Sequence, residues 1–138
     1  MSKGTWVGIV LAVQSTAVLG DDYKEATEAA YCVGVYQSDV EFWRRTDPKS
    51  GETRDAELKQ SRKQTFVESA IKRGIMDRVT VSKMRAVGYA DAKSCLEQSL
   101  RCTQQWSEKM DDEQSNRMLE NCRKLVEPVC ERAYKNCD

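Results

Sequence analysis

The distribution of the six cysteines constrains the fold more than any other feature of this sequence. The chain contains no histidine and no Cys-x-x-Cys spacing, which argues against a zinc site. Intervals of seven residues place sulfurs about 10 Å apart along one helix, too far to share a metal ion. The pattern therefore predicts disulfides, with no metal and no cofactor. One cysteine stands near the N-terminus and five lie in the C-terminal third: Cys32, Cys95, Cys102, Cys122, Cys130 and Cys137.

The C-terminal cysteines lie in a segment that predicts a helical hairpin. Apolar residues and cysteines recur at helical spacing in residues 91–106 and in the last twenty or so residues of the chain. Residues 107–117, between these two stretches, are almost entirely polar and predict the turn. Pro128 interrupts the second stretch, which predicts a kink or a new helix start near Glu127.

Carboxylates and a glycine mark the expected ends of these helices. Gly88 is expected to end the preceding segment, residues 75–87, which is either a short helix or an irregular connection. Asp91 is then placed to cap the first helix of the hairpin, since its carboxylate can accept the free N–H groups of a first turn. Asp111 and Asp112 stand where the second helix should begin.

Facing residues of an antiparallel helix pair have position numbers with a nearly constant sum. In the preferred register the position numbers of Cys102 and Cys122 sum to 224, and those of Cys95 and Cys130 sum to 225. These sums centre the turn near residue 112, inside the polar break. Close-packed helices bring facing Cα atoms within the roughly 5.5–6 Å that a disulfide requires. This register predicts the pairs Cys102 with Cys122, Cys95 with Cys130, and Cys32 with Cys137.

A competing register has the advantage that its cysteines are seven residues apart on both helices. Its sums are both 232, which moves the turn to residue 116. We prefer the first register because its turn coincides with the most polar residues, although it depends on a kink at Pro128. The competing register predicts the pairs Cys102 with Cys130, Cys95 with Cys137, and Cys32 with Cys122.

The N-terminal residues 1–20 have the pattern of a secretory signal peptide. Lys3 supplies a positive charge, residues 5–13 are apolar, and small residues follow at the expected cleavage sites. The apolar run is shorter than the roughly 20 residues that a membrane-spanning helix needs, so no stable span is expected after signal removal. We predict a secreted or periplasmic protein, because oxidising compartments are where disulfides persist.

Residues 21–138 then form a single helical, disulfide-stapled domain. Residues 21–46 predict its first helix, because apolar side chains recur every three or four positions. A Pro- and Gly-containing stretch, residues 47–51, ends that helix. A second helix follows from about Thr53 to Arg73, with Gly74 as its cap. The apolar stripe of the first helix is Ala26, Ala29, Val33, Tyr36, Val40 and Trp43, and the inward residues of the second are Phe66, Val67, Ala70 and Ile71.

These patterns together predict an all-α fold. The expected architecture is a small bundle of four to five helices with a disulfide-stapled C-terminal antiparallel helical hairpin. The charges balance at 22 basic and 22 acidic residues, and loss of Lys3 with the signal would leave a net charge near −1. Binding to nucleic acid is therefore not expected. The lack of histidine removes the commonest general base, and we do not expect an enzyme.

Two segments are candidates for a binding surface. Aromatic residues crowd the first helix more densely than one buried stripe can accommodate, although the core could absorb most of them. Basic residues outnumber acidic ones in residues 58–86, which could form a patch for an anionic ligand or surface, or a solvated face. The aromatic candidates are Tyr31, Tyr36, Phe42 and Trp43. The basic candidates are Lys59, Arg62, Lys63, Lys72, Arg73, Arg78, Lys83 and Arg85.

The sequence therefore indicates an exported, non-enzymatic protein that acts by binding a protein partner or as a structural component of the envelope. One alternative is a binder of anionic ligands or surfaces through residues 58–86. Another is a secreted inhibitor of a second protein. The aromatic surface would serve the protein-binding hypotheses, and the basic patch would serve the anionic one.

Overall fold

The computed structural model describes the backbone of residues 2–104 and 111–137, with side chains for residues 20–102 and 111–137. Four helices and no strand occur in these ranges, so the predicted all-α bundle with a stapled C-terminal hairpin is confirmed. α1 packs against α2 and α3, and α4 packs mainly against α3. The helices are α1 (Ser2–Thr46), α2 (Gly51–Lys72), α3 (Arg78–Gln104) and α4 (Asp112–Tyr134).

α1 is the central element of the core. From residue 26 to residue 40 it buries small and β-branched side chains around most of its circumference, and no described side chain before Ala26 is buried. The core has two clusters, which meet along α1. Residues of the first are Ala26, Ala29, Ala30, Val33, Val67, Ala70 and Met76, and those of the second are Cys32, Val35, Tyr36, Ala92 and Cys137.

Two glycines let the backbones of α1 and α3 approach closely. A Cβ atom added to Gly34 would lie 1.9 Å from the carbonyl oxygen of Arg85, and one added to Gly88 would lie 1.9 Å from that of Tyr31. Each glycine therefore faces the backbone of the opposite helix. The prediction that Gly88 ends a helix is wrong, because this residue lies in the middle of α3.

α3 begins earlier than the sequence suggested, and a different aspartate caps it. The Asp77 carboxylate accepts a hydrogen bond of 2.7 Å from the backbone N–H of Thr80, and this hydrogen bond lowers the pKa of Asp77. Residues 78–87 therefore belong to one long helix that continues into the hairpin, and residues 75–77 connect α2 to it. Asp91, predicted to be the cap, lies inside α3 and accepts a hydrogen bond of 2.6 Å from the hydroxyl of Tyr31.

The predicted C-terminal end of the first helix and both predicted ends of the second helix agree closely with the structure, whereas α1 begins well before residue 21. α1 ends at Thr46, and the Ser50 hydroxyl caps α2 by accepting the N–H of Thr53. Gly74 follows α2 with a φ of +72°, a left-handed conformation that favours glycine. Three of the four inward residues of α2 are buried or partly buried. The fourth, Phe66, is 42% exposed, so its predicted inward position is wrong.

α1 extends in the N-terminal direction through the predicted signal sequence as far as Ser2. None of the helices in the described ranges is long and apolar enough to cross a membrane. The part of α1 that supplies the core, residues 26–40, lies wholly beyond the predicted signal.

The disulfides are the three pairs of the preferred register. Their Cα–Cα distances are 5.2 Å, 5.0 Å and 5.6 Å for Cys32–Cys137, Cys95–Cys130 and Cys102–Cys122, in that order. α4 begins at Asp112, so the second half of the predicted polar break is helical. The Asp111 carboxylate caps α4 by accepting the N–H of Gln114 at 2.7 Å, as expected from its position.

α4 passes through Pro128 as one helix, so no new helix starts near Glu127. The backbone of the first hairpin helix is described as far as Gln104. The rest of the predicted first hairpin helix, to residue 106, lies outside the described residues.

Tyrosine hydroxyls join α1 to the other helices across the core. Tyr31 and Tyr36 of α1 donate to the Asp91 carboxylate and to the backbone carbonyl of Cys137, respectively. In the opposite direction, Tyr134 of α4 donates to the Asp39 carboxylate of α1. Burial raises the pKa of Tyr134 far above its ordinary value, and the hydrogen bond to Asp39 raises it further.

The glycine contact predicts that Gly34→Ala and Gly88→Ala each destabilise the fold. Since the added methyl group meets backbone atoms that cannot rotate away, we expect a loss of about 3 kcal/mol or more in the free energy of unfolding. Gly51→Ala is the matched control, because nothing lies within 4 Å of its added Cβ. Its effect should be about 1 kcal/mol or less. Equal effects of all three changes in urea denaturation would contradict a close crossing.

The hydrogen bond from the Tyr134 hydroxyl to Asp39 predicts a loss of stability in alkaline solution. The folded state holds the phenolic proton of Tyr134 more tightly than the unfolded chain does. The contribution of this group to the free energy of unfolding is therefore complete below about pH 10 and is lost as the pH rises further. Urea denaturation at pH 8 and above pH 10 should show a smaller alkaline loss for Tyr134→Phe than for the unchanged protein. The same loss in both would show that Tyr134 does not carry this dependence.

Candidate functional site

The aromatic candidates do not form one exposed surface. Tyr36 is only 3% exposed, and its hydroxyl is bound to the backbone near the C-terminus. Tyr31 is half-buried against Asp91. Phe42 and Trp43 are partly exposed and contact each other edge to face, with ring centroids 5.2 Å apart. The structure thus leaves one aromatic pair at the end of α1 as a potential contact.

The eight basic candidates also divide among several places. Arg73 forms an ion pair of 3.1 Å with Asp22, and Arg78 forms one of 3.5 Å with Glu68. Arg85 donates from Nε to the side-chain oxygen of Gln37 at 2.8 Å. Lys72 and Arg85 line different grooves. Three candidates, Lys59, Arg62 and Lys63, share one face of α2 and line a third groove.

This α1–α2 groove has a volume of about 520 Å³ and carries charges of both signs. Its α1 wall contributes Glu25 and Glu28, opposite the three basic residues of α2. The Lys59 ammonium pairs with Asp55 at 3.2 Å and lies 5.8 Å from the ring centroid of Tyr36. Because the acidic wall offsets much of the basic wall, the groove is less electropositive than the sequence of α2 suggests.

The other candidate site lies at the far end of the α3–α4 pair. We call residues 96–102 of α3 and 112–129 of α4 the distal hairpin. None of its described side chains is buried, and the Cys102–Cys122 disulfide joins its two helices. Three of its four leucines are unusually exposed for apolar residues, whereas Leu96 is partly buried. The exposed fractions of the three are 45% for Leu100, 41% for Leu119 and 73% for Leu125.

Two grooves run along the distal hairpin and share the Cys102–Cys122 bridge as part of their floors. Groove A, of about 600 Å³, has Met118, Leu125 and Val126 as its apolar floor. Groove B, of about 590 Å³, shares Val126 and adds Leu119. Polar residues rim groove A: Gln98, Arg101, Gln114, Arg117 and Asn121. Those of groove B are Ser99, Asn116, Glu120 and Arg123.

The charges of the two grooves differ. Among the described residues, groove A is lined by two arginines and no acidic side chain, whereas Glu120 balances Arg123 in groove B. This surface lies outside both of the binding surfaces predicted from the sequence. A signal for it exists in α4, where two adjacent apolar pairs, Met118-Leu119 and Leu125-Val126, are seven residues apart. Such pairs spread apolar surface over more of a helix than one neighbouring helix can cover.

Within the described ranges, no group of three or more acidic or cysteine side chains is arranged to hold a metal ion. No known protein family, curated protein or solved structure matches the chain. The geometry of its own residues is therefore the basis for a functional proposal. The distal hairpin combines exposed leucines, two grooves and a covalent bridge, and it is the strongest candidate.

Proposed function

We propose that this protein is an exported, non-enzymatic binding module whose distal hairpin contacts a partner protein. The observation that carries the proposal is the exposure of Leu100, Leu119 and Leu125 on the distal hairpin, none of whose described side chains is buried. Leu119 and Leu125 line two grooves that share Val126 and the Cys102–Cys122 bridge, and contiguous apolar surface marks interaction sites more often than isolated apolar residues do. Inhibition of the partner would be one consequence of such binding.

The disulfides make the distal hairpin suited to this role. A two-helix hairpin without a core would ordinarily depend on packing for its structure. Here Cys95–Cys130 and Cys102–Cys122 hold the two helices together, so apolar side chains can remain available to a partner. A surface that is already ordered also loses less conformational entropy on binding.

Export is part of the same proposal. Three disulfides involve every cysteine of the chain, which is typical of proteins that fold in an oxidising compartment. The buried residues that α1 contributes to the described core lie between residues 26 and 40, after the predicted signal sequence. The predicted signal sequence and the described core therefore occupy separate parts of α1.

A photo-crosslinking residue placed at Leu125 tests the protein-binding proposal in the compartment to which the cell exports this chain. We expect a discrete crosslinked protein adduct at this position, because Leu125 lies in the proposed contact surface. Leu58 is the matched control, since it is a 49% exposed leucine on α2, away from the distal hairpin. Adducts at Leu58 as strong as those at Leu125, or none at Leu125 and Leu119, would contradict the proposal.

A second candidate function is the binding of an anionic ligand in the α1–α2 groove. It is favoured by the single-face arrangement of Lys59, Arg62 and Lys63 on α2. The anion would have to approach this wall and avoid Glu25 and Glu28. Polyanion binding of this kind weakens as salt is added, because counterions screen the charges.

Titration with inorganic polyphosphate at low salt tests this second function. We expect the double change Arg62→Gln, Lys63→Gln to weaken binding about tenfold, since two of the three cations of the groove are lost. Lys83→Gln is the control, because Lys83 is an exposed lysine on α3 outside the groove. If this control weakens binding as much, the polyanion binds the general surface charge and the groove is not a site.

A further inference from the structure

Groove A has the dimensions of a site for one helix. It runs between α3 and α4, and its lining residues on α4 extend from Gln114 to Val126. At 1.5 Å per residue this is about 18 Å, or just over three helical turns. Two antiparallel helices leave such a groove along their seam, and a third helix can lie in it about 8–10 Å from each axis.

The apolar floor of groove A has helical spacing. Met118 and Leu125 are seven residues apart, with the bridge between Cys102 and Cys122 beneath them. Residues at this spacing form the apolar seam of packed helices, where each side chain fits between those of the facing helix. Leu125, at 73% exposure, is the most exposed of the large apolar side chains in the described ranges.

The rim of groove A selects for negative charge. Arg101 on α3 and Arg117 on α4 stand on its two sides, and none of the described residues that line it is acidic. Arg117 contacts Glu113 at 3.4 Å, but both side chains are largely exposed. An exposed pair of this kind contributes only about 0–1 kcal/mol, so Arg117 can exchange Glu113 for a carboxylate of a partner.

A second copy of this chain fits groove A poorly. Symmetric dimers use the same surface on both subunits. Such a contact would bring the arginines of the two copies into one interface with no acidic residue from the lining of either groove. Like charges placed opposite each other disfavour association. The charge of the rim therefore favours a different, acidic partner.

We infer that groove A binds an amphipathic helix of a partner protein that carries leucine-type side chains on one face and acidic residues beside them. This helix would complete a local three-helix bundle on the distal hairpin. The inference rests on the proposed protein-binding function and specifies its partner. Recognition combines apolar insertion at Leu125 with carboxylate contacts to Arg101 and Arg117.

Two synthetic amphipathic helices test the inference on the full, oxidised protein. Both have the same leucine pattern, and their flanking residues are all glutamate in one peptide and all lysine in the other. Fluorescence anisotropy should show about tenfold or stronger preference for the glutamate peptide, and this preference should weaken with salt. The double change Arg101→Glu, Arg117→Glu should reverse the preference.

Matched leucine changes locate the site. Leu125→Asn should weaken binding of the glutamate peptide about tenfold, because it removes the main apolar contact of groove A. Leu119→Asn should leave it unchanged, because Leu119 lies in groove B. Equal binding of both peptides, or equal effects of the two leucine changes, would overturn the inference.

Other occupants give distinct outcomes that would also overturn it. Concentration-dependent dimers in sedimentation equilibrium that Leu125→Asn abolishes would assign groove A to a second copy. Stronger binding to phosphatidylglycerol vesicles than to the glutamate peptide would assign it to a membrane surface. Failure of the peptide test together with crosslinks at Leu119 or Leu125 would reject the acidic helix and retain the protein-binding function. If the peptides do not bind and no crosslinks form at Leu119 or Leu125, both the acidic-helix inference and the protein-binding proposal are rejected.

Discussion

The position of α4 depends on covalent bonds more than on burial. Ala133 is the only buried side chain within this helix, and it lies near the C-terminal end. The disulfides at Cys130 and Cys122 instead fix α4 against α3. By loop-closure entropy, bridges across 35 and 20 residues contribute about 3.8 and 3.3 kcal/mol. Disulfides thus hold the two helices of the distal hairpin together without a buried core among its described side chains. Leu100, Leu119 and Leu125 therefore remain exposed.

α1 gives the hairpin a fixed base. The close approach at Gly34 and Gly88 holds α3 against α1, and Cys95 follows two turns after Gly88 on the same helix. Cys32–Cys137 then ties the end of the chain to the middle of α1, beside the buried Tyr36. At the bundle end the helices are therefore held by buried packing and a disulfide together, whereas none of the described side chains of the distal hairpin is buried. This difference explains why exposed apolar side chains, and the binding surface proposed on them, lie at the distal end.

The sequence predicts those features that depend on local spacing. The sums of the cysteine positions leave two registers open, and the position of the polar break favours the pairs that are observed. The apolar period of α1 predicts residues that line the core. Contacts between distant segments are harder to foresee. Gly88 resembles a helix end because its role depends on the carbonyl of Tyr31, which lies far away in the sequence. Asp91 resembles a cap because its partner is that same tyrosine.

The candidate sites show the same limit. The basic residues are obvious in the sequence, but the partners of Arg73 and Arg78 on other segments appear only in the fold. The spacing of Leu119 and Leu125 is typical of the buried face of an amphipathic helix. In the structure both are exposed, because α4 packs mainly against α3. Exposure depends on how many helices surround a segment, which a periodic pattern does not encode.

Peptide mapping of the protein under non-reducing conditions tests the central claim most directly. Mass spectrometry should find three linked peptides, which join Cys32 to Cys137, Cys95 to Cys130 and Cys102 to Cys122. Those links would fix the register of the hairpin and the two grooves on it. Free thiols, or links from Cys102 to Cys130 and from Cys95 to Cys137, would contradict it.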